Sequence, residues 1–73
     1  MHNVETADTV GDDDILFLRM RQVTRLTGLG RSTIYRLVAQ DGFPAPVRLA
    51  GRAIAWRRDD LERWSASRPT VAH

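Results

Sequence analysis

Two glycines, Gly28 and Gly30, separate two short segments of helical hydrophobic spacing in the middle of the chain. In the first segment, side chains suited to a buried face recur three and four residues apart while arginines and a glutamine fill the other positions. The recurring positions are Met20, Val23, Leu26 and Thr27. This pattern predicts a first helix that ends at Gly28, because glycine adopts the left-handed conformation without steric cost.

The segment after the glycines predicts a second helix. Ile34, Leu37 and Val38 form an apolar stripe, and Ser32 is expected to cap the helix through its hydroxyl. The helix is expected to end near residues 41–42. Two helices of about eight and ten residues joined by a glycine-bearing turn follow the helix-turn-helix plan. The alternative, a plain pair of antiparallel helices, would not need arginines on both helices and across the turn.

The remaining apolar patterns predict a hairpin and a third helix. Residues 47–49 and 53–56 alternate around a turn that contains Gly51, which is typical of a β-hairpin. Asp59 or Asp60 is expected to cap a last helix that runs to about residue 67, with inward-facing side chains at Leu61 and Trp64. Both tryptophans, at positions 56 and 64, are expected to pack in the core. Residues 15–18 are expected to form an edge strand or a lead into the first helix.

These elements predict one small, mostly helical domain with a hairpin wing. A chain of 73 residues forms at most one domain, and without cysteine it has neither disulfides nor a thiolate zinc site. The expected fold is therefore a winged helix-turn-helix of three short helices over residues 15–67. Residues 1–14 are predicted to be a disordered acidic leader, and residues 68–73 a flexible tail.

Charge is strongly segregated along the chain. Residues 1–14 contain five acidic residues and no basic one, whereas residues 19–58 contain nine arginines and one acidic residue, a net charge of +8. Ordinary solvated surfaces mix both signs, so this distribution favours a nucleic-acid binder. We also consider that the acidic leader competes with DNA for the basic segment, in which case deleting it would raise non-specific affinity at low salt.

The second helix is the candidate recognition helix, since in helix-turn-helix proteins this helix enters the major groove with its first residues at base edges. Its outward residues are Arg31, Ser32, Thr33, Tyr35 and Arg36. The wing candidates are Arg48, Gly51 and Arg52, with an arginine suited to a narrow minor groove. The candidates for DNA backbone contacts are Arg19, Arg21, Arg25, Arg57 and Arg58. For several of these a purely structural role stays open: Ser32 as a cap, Tyr35 packed on the wing, and Arg57 and Arg58 merely solvating the third helix.

About 50 residues of the chain resemble the AlpA-type regulators and small phage excisionases of the MerR-like winged-helix group. The matching segments are residues 19–23, 26–37, 43–49, 51–56 and 60–64. The resemblance implies a major-groove helix at residues 31–36, a minor-groove wing at residues 48–52, and a role in the control of a prophage or integrative element. Two features depart from the pattern: Gly30 stands where the family often has serine, and the acidic leader has no counterpart.

The leading hypothesis is therefore an intracellular, sequence-specific transcriptional regulator that binds double-stranded DNA. One alternative is an excisionase, or recombination directionality factor, that binds neighbouring sites cooperatively and bends DNA for an integrase. A second is a protein-interaction module without specific DNA binding. The sequence contains no nucleophile–base set, metal-ligand cluster or phosphate-binding glycine loop, so we expect neither an enzyme nor a cofactor. Nor do we expect a membrane span, because no apolar run approaches the required length. A module this small is expected to reach useful specificity through self-association on DNA.

Overall fold

A computed structural model describes residues 15–71, which form three short helices and a small antiparallel sheet. The elements are β1 (Phe17–Leu18), α1 (Met20–Thr27), α2 (Arg31–Ala39), β2 (Val47–Ala50), β3 (Ala53–Arg57) and α3 (Arg58–Ala66). This arrangement confirms the predicted fold class, a mostly helical protein with a hairpin wing. The predicted acidic leader, residues 1–14, lies outside the described residues, and the division of the chain into leader, domain and tail stays a prediction.

Helix α1 buries a narrower face than its spacing suggested. Val23 is completely buried and Met20 packs against the core, but Leu26 is 52% exposed. The reason is angular: with 3.6 residues per turn, Leu26 lies about 60° around the helix axis from Val23, away from Met20. The expectation that Leu26 belongs to the buried stripe is therefore wrong.

The turn between α1 and α2 is held by backbone and hydroxyl hydrogen bonds. Gly28 has φ 77°, as predicted for the residue that ends α1, and its N–H donates to the Thr24 carbonyl at 2.9 Å. The Thr27 hydroxyl donates to the Val23 carbonyl at 2.8 Å and accepts from the Leu29 N–H at 3.1 Å. Since Leu29 packs against the core, this short turn sets the direction in which α2 begins.

Helix α2 begins at Arg31, one residue before the predicted cap. Gly30, not Ser32, occupies the N-cap position with an extended backbone, and the Ile34 N–H donates to the Gly30 carbonyl at 3.0 Å. Ser32 therefore lies inside the first turn, and no side chain caps the helix. The expectation that Ser32 caps α2 is wrong, because Gly30 adopts the cap conformation first.

The end of α2 is a Schellman motif at the predicted place. The Gly42 N–H donates to the Leu37 carbonyl at 2.7 Å, and the Asp41 N–H donates to the Val38 carbonyl at 3.1 Å. The left-handed residue is Asp41, with φ 60°, rather than the glycine that follows it. Aspartate tolerates this conformation better than most residues do, although it costs about 1–2 kcal/mol relative to glycine.

The sheet has the strand order β1-β3-β2, with both neighbouring pairs antiparallel. Strand β1 is an edge strand, as one of the two sequence predictions stated, and it pairs Phe17 with Arg57 and Leu18 with Trp56. Strand β3 is central, and Trp56 within it is completely buried. The hairpin thus grows directly out of the core.

Helix α3 follows β3 without a linker. Arg57 occupies the N-cap position and the helix starts at Arg58, whose N–H donates to the Leu16 carbonyl at 2.9 Å. No position is left in which an aspartate could cap the helix, so that expectation is wrong. Asp59 and Asp60 instead lie in the first turn, where the helix dipole favours negative charge.

The hydrophobic core joins all three helices to the sheet. Its buried members are Leu18, Val23, Ile34, Phe43, Trp56 and Leu61. Leu37, Val38 and Trp64 are partly buried against them, which confirms the predicted inward stripes of α2 and α3. Among residues 15–71 no polar or charged residue is fully buried, so every charged group remains accessible to solvent or to a ligand.

Candidate nucleic-acid interface

Helix α2 presents a polar and basic face opposite its buried stripe. Ile34 is completely buried, and this single orientation turns the predicted recognition residues outward. Arg31, Ser32, Tyr35 and Arg36 are exposed, and Thr33 is half-buried. Tyr35 is 46% exposed, so its ring and hydroxyl are available to a ligand.

The four exposed polar and basic residues of α2 form two neighbouring pairs. Arg31 and Tyr35 are four residues apart, as are Ser32 and Arg36, so each pair occupies adjacent turns of one helix face. The first turn contains no acidic residue and no side-chain cap. The positive end of the helix dipole is therefore reinforced by Arg31 rather than neutralised, which is the electrostatic arrangement that attracts anions.

The wing is a hairpin with a two-residue loop and a bulge. Arg48 pairs with Ile54 and Ala50 pairs with Ala53, which leaves Leu49 without a partner on β3. The bulge interrupts the side-chain alternation that the sequence suggested, and Leu49 is 43% exposed. Sequence reasoning missed this exposed apolar side chain beside the wing arginines, because period-2 alternation places it with the inward residues.

Both arginines of the wing, one on strand β2 and one in the loop, lie at the surface. Gly51 has φ 54°, and Arg48 and Arg52 are exposed. The two side chains differ in their contacts, since Arg48 Nη1 donates to the Gly51 carbonyl at 2.6 Å. The predicted wing residues are thus brought together, and one of them bonds the backbone of the turn.

Two tryptophans hold the connection between α2 and the wing. Trp56 Nε1 donates to the Pro44 carbonyl at 2.7 Å, and Trp64 Nε1 donates to the Gly42 carbonyl at 2.8 Å. Between these carbonyls, the Phe43 ring packs edge-on against Trp64 and Trp56, with ring centroids 4.7 and 6.2 Å apart. The packing role predicted for both tryptophans is confirmed. Their hydrogen bonds, which sequence reasoning missed, fix how the wing follows the helix.

The other predicted contact residues divide into two groups. Arg19, Arg21, Arg25 and Arg57 are exposed. The Arg58 side chain is only 24% exposed and forms an ion pair with Glu62 at 2.7 Å. The structure thus places Arg58 in an interaction within α3, while the other four guanidinium groups face solvent.

Acidic residues are concentrated in one element of the described part of the chain. Within residues 15–71, every acidic residue except Asp41 lies in α3. Two of these carboxylates pair with arginines of the same helix, Glu62 with Arg58 and Asp60 with Arg63. The charge segregation seen along the sequence therefore persists in three dimensions, with α1, α2 and the hairpin free of acidic side chains.

The described part of the chain contains no group of three His, Cys, Asp or Glu residues placed to hold a metal ion. None of its helices has the length and apolar composition that a bilayer crossing requires.

Three short helices, a basic second helix that follows a glycine turn, and a hairpin that continues into the third helix define a small winged helix-turn-helix protein. The chain belongs to the family described as the prophage CP4-57 regulatory protein (AlpA), which matches residues 16–69. It is also 44% identical over 52 residues to the uncharacterized protein ORF88 of Enterobacteria phage P4. That match covers 71% of this chain and 59% of the relative's length. The resemblance seen in the sequence is confirmed, and the family is one of phage regulatory proteins.

Proposed function

We propose that this protein is a sequence-specific DNA-binding transcriptional regulator of a prophage or integrative element. The observation that carries the proposal is that α1, α2 and the hairpin contain no acidic side chain while their arginines are exposed. We call the outward-facing residues of α2 and the wing the basic surface. The basic surface consists of Arg31, Ser32, Thr33, Tyr35 and Arg36 on α2 and Arg48, Gly51 and Arg52 in the wing.

Helix α2 is proposed to enter the major groove. Its buried stripe leaves Arg31 and Arg36 exposed, and an arginine can donate two parallel hydrogen bonds to N7 and O6 of a guanine. Such a contact discriminates against a wrong base by about 1–3 kcal/mol. The hydroxyls of Ser32 and Tyr35 can bond phosphates or base edges.

The wing and α1 are proposed to add contacts on either side of α2. The wing arginines lie at the end of a narrow hairpin, and a narrow minor groove attracts arginine through its negative potential. Arg19, Arg21, Arg25 and Arg57 are exposed and are proposed to contact phosphates, with Arg58 contributing only as far as its ion pair with Glu62 allows. Each neutralised phosphate steepens the salt dependence by about 0.9 in log–log slope.

The test is to measure binding of the full chain to DNA from the flanks of its own gene and to shuffled DNA of equal length, across a salt series. Arg31→Ala and Arg36→Ala should weaken specific binding by about tenfold or more. Arg63→Ala is the matched control, because it also removes one arginine but from α3, where Arg63 pairs with Asp60. Equal affinity for both DNAs, or no binding at physiological salt, would contradict the proposal and favour a protein partner.

DNA bending and transcription from the adjoining promoter, measured on the same DNA, separate a regulator from an excisionase. A small module gains specificity when several copies occupy neighbouring sites, so we expect more than one bound copy on the native DNA. Strongly cooperative binding to neighbouring sites, together with bending of the DNA near an integrase attachment site, would point to the recombination role. Binding confined to a promoter, with transcription changed, would support the regulator.

A further inference from the structure

We infer that Arg48 is a positioning residue, which holds the turn of the wing in the one conformation that directs Arg52 at DNA. The inference rests on the proposed function and assigns different roles to the two wing arginines. In this division Arg52 contacts the minor groove, and Arg48 acts through the backbone of the loop. The observation behind it is the hydrogen bond from Arg48 Nη1 to the Gly51 carbonyl.

The geometry of the turn explains why that carbonyl matters. Ala50 and Ala53 form the last pair of the hairpin, so the loop consists of Gly51 and Arg52 alone. Positive φ is found at Gly51 but not at Arg52, the pattern of a type II′ turn, which has glycine at its first central position. The hydrogen bond of such a turn joins the flanking residues. The Gly51 carbonyl takes no part in it and is left to accept a hydrogen bond from a side chain, which Arg48 supplies.

Gly51 alone does not select this conformation. Glycine populates positive and negative φ about equally, and the space beside Gly51 is open, since a β-carbon there would meet no atom within 4 Å. Apart from the pairing of Ala50 with Ala53, the peptide that joins Gly51 to Arg52 is held only where a donor bonds its oxygen. A guanidinium donor at 2.6 Å is a charge-assisted hydrogen bond and supplies that restraint.

The bulge at Leu49 lies between Arg48 and the turn that its side chain contacts. The pair of Arg48 with Ile54 is the last before the bulge, and the pair of Ala50 with Ala53 is the first after it. The chain therefore bends between Arg48 and the turn. The Arg48 guanidinium reaches forward past the end of β2 and donates to the carbonyl of Gly51, three residues further along the chain. Arg52 lies beside this carbonyl in the sequence, exposed, and within residues 15–71 no ion pair engages it.

The experiment is a double-mutant cycle on the full chain, with dissociation constants measured on native-flank DNA across a salt series. The variants are Arg48→Ala, Arg48→Lys, Arg52→Ala and the double variant Arg48→Ala/Arg52→Ala. Arg52→Ala should weaken binding by about tenfold and lower the log–log salt slope by about 0.9. Arg48→Ala should approach that loss by itself. In the Arg52→Ala background it should add less than about twofold, because the residue it positions is already gone.

Two further measurements test the restraint on the loop, and the second separates positioning from direct contact. Arg48→Lys retains an N–H donor for the Gly51 carbonyl and should recover most of the affinity. In the free protein, Arg48→Ala should shift the ¹H–¹⁵N resonances of residues 49–53, whereas Arg52→Ala should leave those of Gly51 and Ala53 nearly in place. Arg63→Ala on α3 serves as the control for loss of one positive charge.

Several outcomes would overturn the inference. If Arg48→Ala weakens DNA binding by a further tenfold in the Arg52→Ala background and lowers the log–log salt slope by another value of about 0.9, Arg48 contacts DNA itself. If Arg48→Lys binds as weakly as Arg48→Ala, the hydrogen bond is not what matters. If Arg52→Ala changes nothing while Arg31→Ala abolishes binding, the wing has no such role although the proposed function stands. If the unaltered protein shows no specific binding, the proposed function fails first, and unchanged loop resonances in Arg48→Ala would separately refute the restraint.

Discussion

Helices α2 and α3 are built on the same plan and carry opposite charge. Both have nine residues. Each has arginine at its first and sixth positions and alanine at its last. Both bury their fourth residue, Ile34 in α2 and Leu61 in α3. They differ on the exposed side. Wherever α3 has an acidic residue, α2 has a hydroxyl-bearing one: Ser32, Thr33 and Tyr35 stand where α3 has Asp59, Asp60 and Glu62.

The consequence lies in what the arginines contact. In α3, Arg58 pairs with Glu62 and Arg63 pairs with Asp60, so both guanidinium groups are engaged within the helix. In α2, the equivalent arginines are Arg31 and Arg36, and no ion pair within residues 15–71 involves them. The same framework therefore yields a self-neutralised structural helix and a helix whose positive charge is left for a ligand.

The largest expected effect comes from giving α2 the charge pattern of α3. Ser32→Asp combined with Tyr35→Glu places a carboxylate four residues after Arg31, as Glu62 follows Arg58, and adds one to the first turn. DNA binding should fall by about 100-fold or more, since two contacts are lost and like charges face phosphates. Far-UV circular dichroism and thermal denaturation should show an intact fold.

The control for this variant is a double change of equal charge outside the basic surface. Ser65→Asp with Ser67→Glu adds two carboxylates at the exposed end of α3. Its effect on DNA affinity should be several-fold at low salt and vanish near physiological salt, where the Debye length is about 8 Å. A loss as large as that of the α2 variant would mean that overall charge, not the basic surface, governs binding.

The next effect tests the structural role of α3. Trp64 occupies the position that Leu37 has in α2, and its indole N–H bonds the Gly42 carbonyl. Trp64→Phe keeps a ring against Phe43 but leaves that carbonyl without its donor, so the free energy of unfolding should fall by about 1–2 kcal/mol. In a domain of this size, that corresponds to about 4–16 °C in Tm. The DNA affinity of the folded protein should not change, because no contact to DNA is removed; weaker binding by a variant that remains folded would place Trp64 at the DNA.

The sequence predicts the local features of the fold better than the long-range ones. The turn at Gly28 and the buried stripe led by Ile34 follow from spacing and from glycine's conformational freedom, and both are confirmed. The start of α2 depends on whether Gly30 or Ser32 takes the cap position, and the two residues differ there by only about a few tenths of a kcal/mol, which local rules do not resolve. The tryptophan hydrogen bonds span 12 and 22 residues, so no local pattern could reveal them.

The candidate site shows a similar limit. The outward positions of α2 could be predicted, because they are the complement of its apolar stripe. The bulge at Leu49 and the bond from Arg48 to the Gly51 carbonyl could not, since two-residue alternation assumes a regular ladder. Which of the exposed arginines contact DNA stays a prediction.

The smallest expected effect is a reciprocal exchange at the second position of the two helices. Both positions are exposed, so packing changes little. Asp59→Ser removes negative charge from the first turn of α3 and should destabilise the protein by about 0.3–1 kcal/mol, with DNA affinity unchanged or slightly higher. Ser32→Asp should stabilise α2 by a similar amount, yet weaken DNA binding by about tenfold, because the carboxylate then faces the phosphates. Thermal denaturation and binding measured on the same two variants check both signs. If Ser32→Asp raises the stability of the protein and lowers its DNA affinity, the absence of acidic residues from the first turn of α2 is explained by an anionic ligand. If Ser32→Asp binds DNA as well as the unaltered chain, the first turn of α2 does not approach the phosphates.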